Sequence, residues 1–152
     1  MTTSEIKLEL QQQCSQLISG RLDSIQKTIK DLEFSLKDET KCTSGDKHHT
    51  GRAMLHIERE NAGRQLSEIE KVMRQLDMVD IENSSEVVRL GSIIETNQAT
   101  FFMSISVGKL EINNTICLGI APNSPIGQNL LGKKKGEQFN FNGKIYKVLK
   151  VD

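Results

Sequence analysis

Three carboxylates stand close together in one polar break of the sequence. The stretch KDETKCTSGDKHHTGR, residues 37–52, holds Asp38, Glu39 and Asp46 between two long helix-like patterns. Acidic side chains at the end of a helical pair can have a chemical function. Asp and Ser also favour turns, however, because their side chains hydrogen-bond nearby backbone groups. The residues by themselves are compatible with two interpretations, a functional acidic tip and a plain turn.

The same stretch contains Cys42, His48 and His49, whose side chains are of the types that bind zinc. Adjacent histidines seldom point at one metal ion, and no second cysteine lies nearby to complete a ligand set. A zinc site is therefore disfavoured.

Two stretches of helical periodicity flank this break. We predict helices over residues 4–37, with Ser4 as the N-cap, and over about 51–76. Apolar residues of the first are spaced alternately by four and three positions: Ile18, Leu22, Ile25, Ile29, Leu32 and Leu36. Those of the second share one helical face: Leu55, Ala62, Leu66, Ile69, Val72, Met73 and Leu76. These seams predict an antiparallel coiled-coil hairpin over residues 1–78, with its tip at about 38–51.

The second half of the chain has a different texture. Residues 79–86 are polar and predict a linker, and short β-branched segments follow from residue 87: VVRLGSII, ATFFMSISV, KLEI and TICLGIA. Near the end, EQFNFNGKIYKVLKV contains Asn142-Gly143, a preferred pair for a type I′ hairpin turn. We therefore predict an α+β protein whose residues 87–152 form a small, mainly antiparallel β domain with one short helix.

Composition limits the possible functions. The 20 basic and 20 acidic residues give no net charge, so no global basic field favours binding to free nucleic acid. No apolar run approaches the roughly 20 residues of a membrane-spanning helix. The three cysteines, Cys14, Cys42 and Cys117, form no CxxC pair. We expect a cytoplasmic monomer with free thiols and no membrane partner.

One segment of the β half breaks the strand pattern. In NSPIGQNLLGKKKGEQ, residues 123–138, Ser124 can cap a short helix and Pro125 suits its first position. We expect Leu130 and Leu131 to face the sheet and Gly132 to end the helix in the left-handed conformation. Ser124 is interpreted as a cap and not as a nucleophile, because no His or Asp motif accompanies it.

This segment also matches the signature Ser-Pro-x-Gly-x-x-Leu-Leu-Gly-Lys-x-x-Gly-acid. The matching residues, in order and at fixed spacing, are Ser124, Pro125, Gly127, Leu130, Leu131, Gly132, Lys133, Gly136 and Glu137. In these residues the chain resembles the Gre-type transcript-cleavage factors of bacterial RNA polymerase. The helical hairpin, the linker and the terminal IYKVLKV strand also fit that family's plan.

The resemblance implies a fold and a partner. The C-terminal domain is expected to be FKBP-like and to dock on the rim of the secondary channel of RNA polymerase, while the hairpin reaches toward the active site. The expected docking motif comprises Ser124, Pro125, Gly127, Leu130, Leu131, Gly132 and Lys133.

The resemblance also implies what the tip acids do. In the family, two tip carboxylates help the polymerase's aspartates to retain a second Mg²⁺, and the polymerase then cuts its backtracked RNA. Asp46 is the expected principal carboxylate because Gly45-Asp46 matches the family's Gly-Asp pair, and Glu39 or Asp38 is the expected second. The chain would stimulate another enzyme, with no intrinsic cofactor and with Mg²⁺ shared with the polymerase.

Three basic residues flank these acids: Lys41, Lys47 and Arg52. Inside the channel they can attract the phosphates of the nascent RNA near its 3′ end, which makes that RNA an indirect partner. Single basic side chains beside a tip are equally often only solvated.

The tip departs from the family's Gly-Asp-Leu-x-Glu-Asn pattern. Lys47, His49 and Thr50 replace Leu, Glu and Asn. This favours an alternative, a non-cleaving regulator that docks in the same channel. A third possibility is a coiled-coil adaptor or an FKBP-like isomerase. The docking signature argues against the adaptor, and the 4% aromatic content argues against the aromatic-walled pocket of an isomerase.

Overall fold

Two long helices form the N-terminal half of the protein. The computed structural model describes residues 2–41 and 46–152, and the side chains of residues 39–50 lie outside that description. Helix α1 spans Thr3–Lys41 and helix α2 spans Asp46–Asp77. Both helices extend past their predicted bounds into the tip stretch. Residues 38–41 contain no Gly or Pro, the residues that most disfavour a helix.

The start of α1 differs from the sequence prediction. The backbone N–H of Glu5 donates to Thr2 Oγ1 at 3.2 Å, and the N–H of Thr2 donates to Glu5 Oε2 at 3.0 Å. This reciprocal pair is a capping box. The prediction of Ser4 as N-cap is wrong, because Thr2 has an acid three residues on whereas Ser4 has Lys7.

Residues 18–72 form one compact unit, unit 2, in which the helices pack along their apolar stripes. Its buried core consists of Ile25, Ile29, Leu32 and Ala62, with Leu55, Leu66 and Ile69 packed against it. Glu33 accepts from Arg59 at 3.2 Å. Ile25 and Ile69 line the same groove. Since a later residue of α1 meets an earlier residue of α2, the helices run antiparallel.

Unit 1 comprises Met1–Leu17 and Met73–Asp152 and contains a mixed six-stranded sheet. Its strands are β1 (Ile93–Thr96), β2 (Thr100–Met103), β3 (Gly108–Ile112), β4 (Thr115–Ile120), β5 (Gln138–Phe141) and β6 (Lys144–Val151). Helix α3, Pro125–Leu130, follows β4. The strand order is β3-β4-β2-β1-β6-β5. The β2–β4 pair is parallel and the other four pairs are antiparallel.

The sheet buries residues on both faces. One face carries the main core with α3: Val88, Ile94, Phe101, Met103, Ile120, Leu130 and Val148. Phe102 lies between two of these along β2 and therefore points to the opposite face, where it is also fully buried. On that face Leu10 of α1 lines a cavity together with Ile93 and Cys117. The N-terminal turns of α1 thus belong to the core of unit 1.

The segment between α2 and the sheet is held by specific contacts. Val79 is buried, and Asp80 Oδ1 accepts the backbone N–H groups of Glu82 and Asn83 at 3.0 and 3.1 Å. Hydrogen bonds from the side chain of Asn83 and then from these backbone groups lower the pKa of Asp80. The predicted three-part division at residues 78 and 86 stays a prediction. In the described part of the chain, no helix is long and apolar enough to cross a membrane.

Candidate functional site

Helix α3 begins as the sequence predicts. Ser124 has extended backbone angles, its Oγ accepts the N–H of Gly127 at 3.1 Å, and Pro125 occupies the first turn. The same hydroxyl donates to the carbonyl of Ala121 at 2.6 Å. Both hydrogen-bonding roles of the serine hydroxyl are therefore taken by the helix start, which supports its interpretation as a cap.

Gly127 is required by a close backbone approach. A Cβ at this position would lie 2.0 Å from the carbonyl oxygen of Ala121 and 2.8 Å from Ser124 Oγ. A backbone oxygen cannot move aside as a flexible side chain can. The glycine of the motif thus allows α3 to fold tightly against the loop that precedes it.

The two leucines of the motif have different environments. Leu130 is fully buried in the core of unit 1, whereas Leu131 is 46% exposed. The expectation that both face the sheet is correct for Leu130 and wrong for Leu131. Leu131 is the C-cap residue, and its ψ of 128° is not helical, so its side chain leaves the helical face that Leu130 occupies.

The end of α3 also follows the prediction. Gly132 has a φ of +83°, the left-handed conformation common just after a helix. Its N–H donates to the carbonyl of Val88 at 2.9 Å, and the N–H of Val88 donates to Lys133 at 2.9 Å. The predicted docking motif is thereby tied to the chain that leads into the sheet.

An aromatic cluster lies beside the motif. Phe139 and Tyr146 stack with ring centroids 5.1 Å apart, and Phe101 and Phe141 each lie 6.3 Å from Tyr146. The Nζ of Lys133 lies 5.9 Å from the centroid of Phe139, within the range of a cation–π contact. Half-buried Lys133 therefore has a packing role in addition to its predicted docking role.

The turn that joins β5 to β6 has the predicted type. Asn142 and Gly143 have φ values of 52° and 78°. Two central residues with positive φ define a type I′ turn, which matches the twist of the flanking strands. This turn sets the register that brings Phe139 opposite Tyr146.

The predicted tip residues fall mostly outside the described side chains. Glu39 and Lys41 belong to the last turn of α1, and Asp46 and Lys47 to the first turn of α2, but their side chains are not described. The side chain of Asp38 is described and is exposed on α1.

Arg52 is exposed on α2, whereas Cys42, His48 and His49 lie among the residues whose side chains are not described. Among the described residues no group of three or more His, Cys, Asp or Glu side chains could hold a metal ion. The pairing of Asp46 with a second acid stays a prediction.

Both helices contact Ser104, the residue that follows β2, a feature that the sequence did not predict. Gln75 of α2 donates from Nε2 to the Ser104 carbonyl at 2.6 Å, and Cys14 Sγ of α1 lies 3.7 Å from Ser104 Oγ. Ser104 and Cys14 are fully buried. Leu10, Cys14 and Ile18 are spaced by four residues, so an upstream extension of the first apolar seam would have indicated this contact.

A second missed contact closes one edge of the sheet. The side-chain amide of Gln13 donates to the carbonyl of Glu111 at 2.6 Å and accepts its N–H at 3.1 Å. Strand β3 lies at the edge of the sheet, so Gln13 substitutes for a neighbouring strand at this position.

The buried thiols of this region are poorly suited to nucleophilic chemistry. Burial, with a further contribution from nearby Cys14, raises the pKa of Cys117 to about 12. Burial also raises the pKa of Cys14. Because the thiolate is the reactive form, both cysteines are interpreted as core residues.

This chain matches no known family model, no curated protein and no solved structure. Its function must therefore be inferred from its own residues and their geometry.

Proposed function

We propose that this protein is a Gre-type transcription elongation factor that binds RNA polymerase at the secondary channel and stimulates cleavage of backtracked RNA. The observation that carries the proposal is the Ser124–Glu137 motif. Ser124 caps α3, Gly127 permits its close approach to Ala121, and Leu130 anchors it in the core. Each of these three matched residues therefore has a distinct physical role in the fold of the motif.

The same proposal covers the finer description of the fold. We infer that α1 and α2 form a coiled-coil hairpin, supported by the spacing of Ile25, Ile29 and Leu32 and their packing with Ala62. We infer that the sheet with α3 is an FKBP-like domain. In that arrangement the exposed Leu131 is available to a partner while Leu130 is not.

The tip residues are proposed to act inside the polymerase. Carboxylates are hard oxygen ligands, so the donor set of Asp46 with Glu39 or Asp38 fits Mg²⁺, but too few are present to hold it without the polymerase's own aspartates. When bound, Mg²⁺ would supply Lewis-acid activation of a water molecule and stabilisation of the charge at the phosphate. Asp46 and its partner acid would supply ligand oxygens, and Lys41, Lys47 and Arg52 would attract the RNA backbone.

A non-cleaving regulator of the same channel is the second candidate. Lys47, His49 and Thr50 stand where the family pattern has Leu, Glu and Asn. A tip with one retained acid could occupy the channel and alter pausing without assisting hydrolysis.

RNA cleavage in stalled, backtracked elongation complexes separates these candidates. The parent protein should accelerate cleavage. Asp46→Asn should reduce the acceleration by at least about tenfold, because losing even an outer-shell contact to a metal costs about that much. Glu39→Gln should act in the same direction less completely, and added Mg²⁺ should partly restore both. Asp31→Asn, which removes an exposed acid of α1 outside the tip, is the matched control.

Two results would count against the cleavage proposal. Unchanged cleavage by Asp46→Asn would remove the tip from the mechanism. A parent protein that changes pausing but never accelerates cleavage would assign the chain to the non-cleaving regulators. Competition with the parent for polymerase binding should show that both tip variants still dock.

A further inference from the structure

A basic cavity lies in unit 1 beside the end of the α3 motif. It measures about 320 Å³ and is lined by Glu86, Lys134, Lys135, Lys150 and Val151. Three of its five lining residues are lysines, although the chain as a whole has no net charge. The positive charge is therefore a local feature of this cavity, which we call the basic cavity.

The position of the lysines is fixed by backbone hydrogen bonds. The N–H of Val88 donates to Lys133, the N–H of Gly132 donates to Val88, and Val87 forms an antiparallel bridge with Lys134. The chain before the sheet and the chain after α3 thus pair as a short ladder. This ladder places Lys134 and Lys135 beside Lys150 of β6.

Two of the three ammonium groups form no ion pair within the described part of the chain. Lys150 is paired with Asp152 at 3.3 Å. Glu137 is the acid nearest to Lys134 and Lys135 in the sequence. Its carboxylate accepts the backbone N–H of Lys134 at 3.2 Å and so stabilises the turn. Among the residues that the structure describes, no ion pair is formed by the side chains of Lys134 or Lys135. The lining therefore carries three lysines against one carboxylate, Glu86, and the ammonium groups of Lys134 and Lys135 keep the cavity positive.

We infer that the basic cavity binds an acidic segment of a protein partner, whose carboxylates pair with Lys134 and Lys135. This inference rests on the proposed function for the identity of the partner: if the proposed function holds, the acidic segment belongs to RNA polymerase. Lysine suits this role because its ammonium is a point charge with three N–H donors, which can donate to carboxylates from several directions. Only Gly132 and Lys133 separate the exposed Leu131 from Lys134 in the sequence, so one partner surface can reach both Leu131 and the cavity.

A protein fits the cavity better than a nucleic acid does. Nucleic-acid backbones are bound by basic tracks that follow successive phosphates, commonly with arginine. The lining here contains no arginine, and Glu86 would repel a phosphate. An acidic protein segment can place a basic or hydrogen-bonding residue against Glu86 and carboxylates against the lysines.

Binding of the full-length protein to core RNA polymerase tests the inference. Each lysine neutralised to alanine should weaken binding by up to about fivefold, the upper end of the range for an exposed ion pair. The double variant Lys134→Glu/Lys135→Glu should weaken it by at least roughly tenfold, and its binding should depend less on salt than that of the parent. Lys109→Glu/Lys144→Glu changes the net charge equally at exposed positions outside the cavity and should bind like the parent. Thermal melts check that both variants fold.

A second measurement separates failure of this inference from failure of the proposed function. The ¹⁵N-labelled full-length protein is titrated with a glutamate-rich helical peptide and, separately, with single-stranded RNA. If the parent binds polymerase and the Lys134→Glu/Lys135→Glu variant binds equally well, the inference is overturned and the proposed function stands. If the parent does not bind polymerase, amide shifts at Lys134, Lys135 and Lys150 with the peptide still support the acidic-partner site. Shifts with RNA and none with the peptide, or none with either probe, overturn it.

Discussion

Replacing Leu130 or Leu131 by alanine should have opposite consequences for stability and for binding. Leu130 is fully buried among Val88, Phe101 and Met103, while its neighbour Leu131 is 46% exposed. Removing a buried leucine side chain costs its transfer free energy and leaves a cavity, about 2–5 kcal/mol in total. Since whole domains are stable by only about 5–15 kcal/mol, Leu130→Ala should remove a large fraction of the stability.

Urea unfolding of the two variants measures the difference. For a loss of about 4 kcal/mol and a slope of about 2 kcal/mol per molar, Leu130→Ala should lower the midpoint by roughly 2 M. Leu131→Ala should lie within about 0.5 kcal/mol of the parent, as exposed substitutions usually do. Under conditions in which both variants are folded, Leu131→Ala should be the one that weakens polymerase binding.

The pair of variants is informative because they differ by one position in the same motif. Equal losses of stability would show that the assignment of the core face of α3 is mistaken. A parent-like midpoint for Leu130→Ala would refute the packing argument directly. Weakened binding by Leu130→Ala alone would argue that the motif acts only by folding the domain.

Three further outcomes follow from the structure. Gly127→Ala should lower the free energy of unfolding by about 3 kcal/mol or more, because the new Cβ clashes with backbone and disturbs the cap. Gly132→Ala has open space for its Cβ and should cost only about 1–2 kcal/mol, for its left-handed φ. Similar urea midpoints for the two variants would contradict this. Folding raises the pKa of Cys117 from 9.0 to about 12, so the thiol ionises at lower pH in the unfolded chain than in the folded one. The contribution of this thiol to folding stability should therefore be complete below pH 9 and be lost as the pH rises toward 12. The free energy of unfolding, measured across this pH range, should fall less steeply with pH for Cys117→Ala than for the parent. Gln13→Ala should cost about 1 kcal/mol and speed amide hydrogen exchange at Glu111, and unchanged exchange there would show that the edge contact is unimportant.

Local features of this fold could be predicted from the sequence because neighbouring residues determine them. The helical seams of α1 and α2 follow from side-chain period, and the type I′ turn at Asn142-Gly143 follows from two residues that tolerate positive φ. The start of α3 follows from Ser124 and Pro125, and its end from Gly132. In each case the chain needs no distant contact to favour the observed conformation.

Which residues of the candidate site are buried and which are exposed was decided by the tertiary structure. Leu130 and Leu131 are identical in type and adjacent, and only the docking of α3 on the sheet buries one and exposes the other. Likewise, Gln13 and Cys14 look like ordinary helix residues until β3 and Ser104 are brought beside them. The parallel β2–β4 pair and the convergence of lysines in the basic cavity also join residues far apart in sequence. Periodicity and turn chemistry carry no information about such distant pairings, because these depend on how completed elements pack and not on the local conformation of either one.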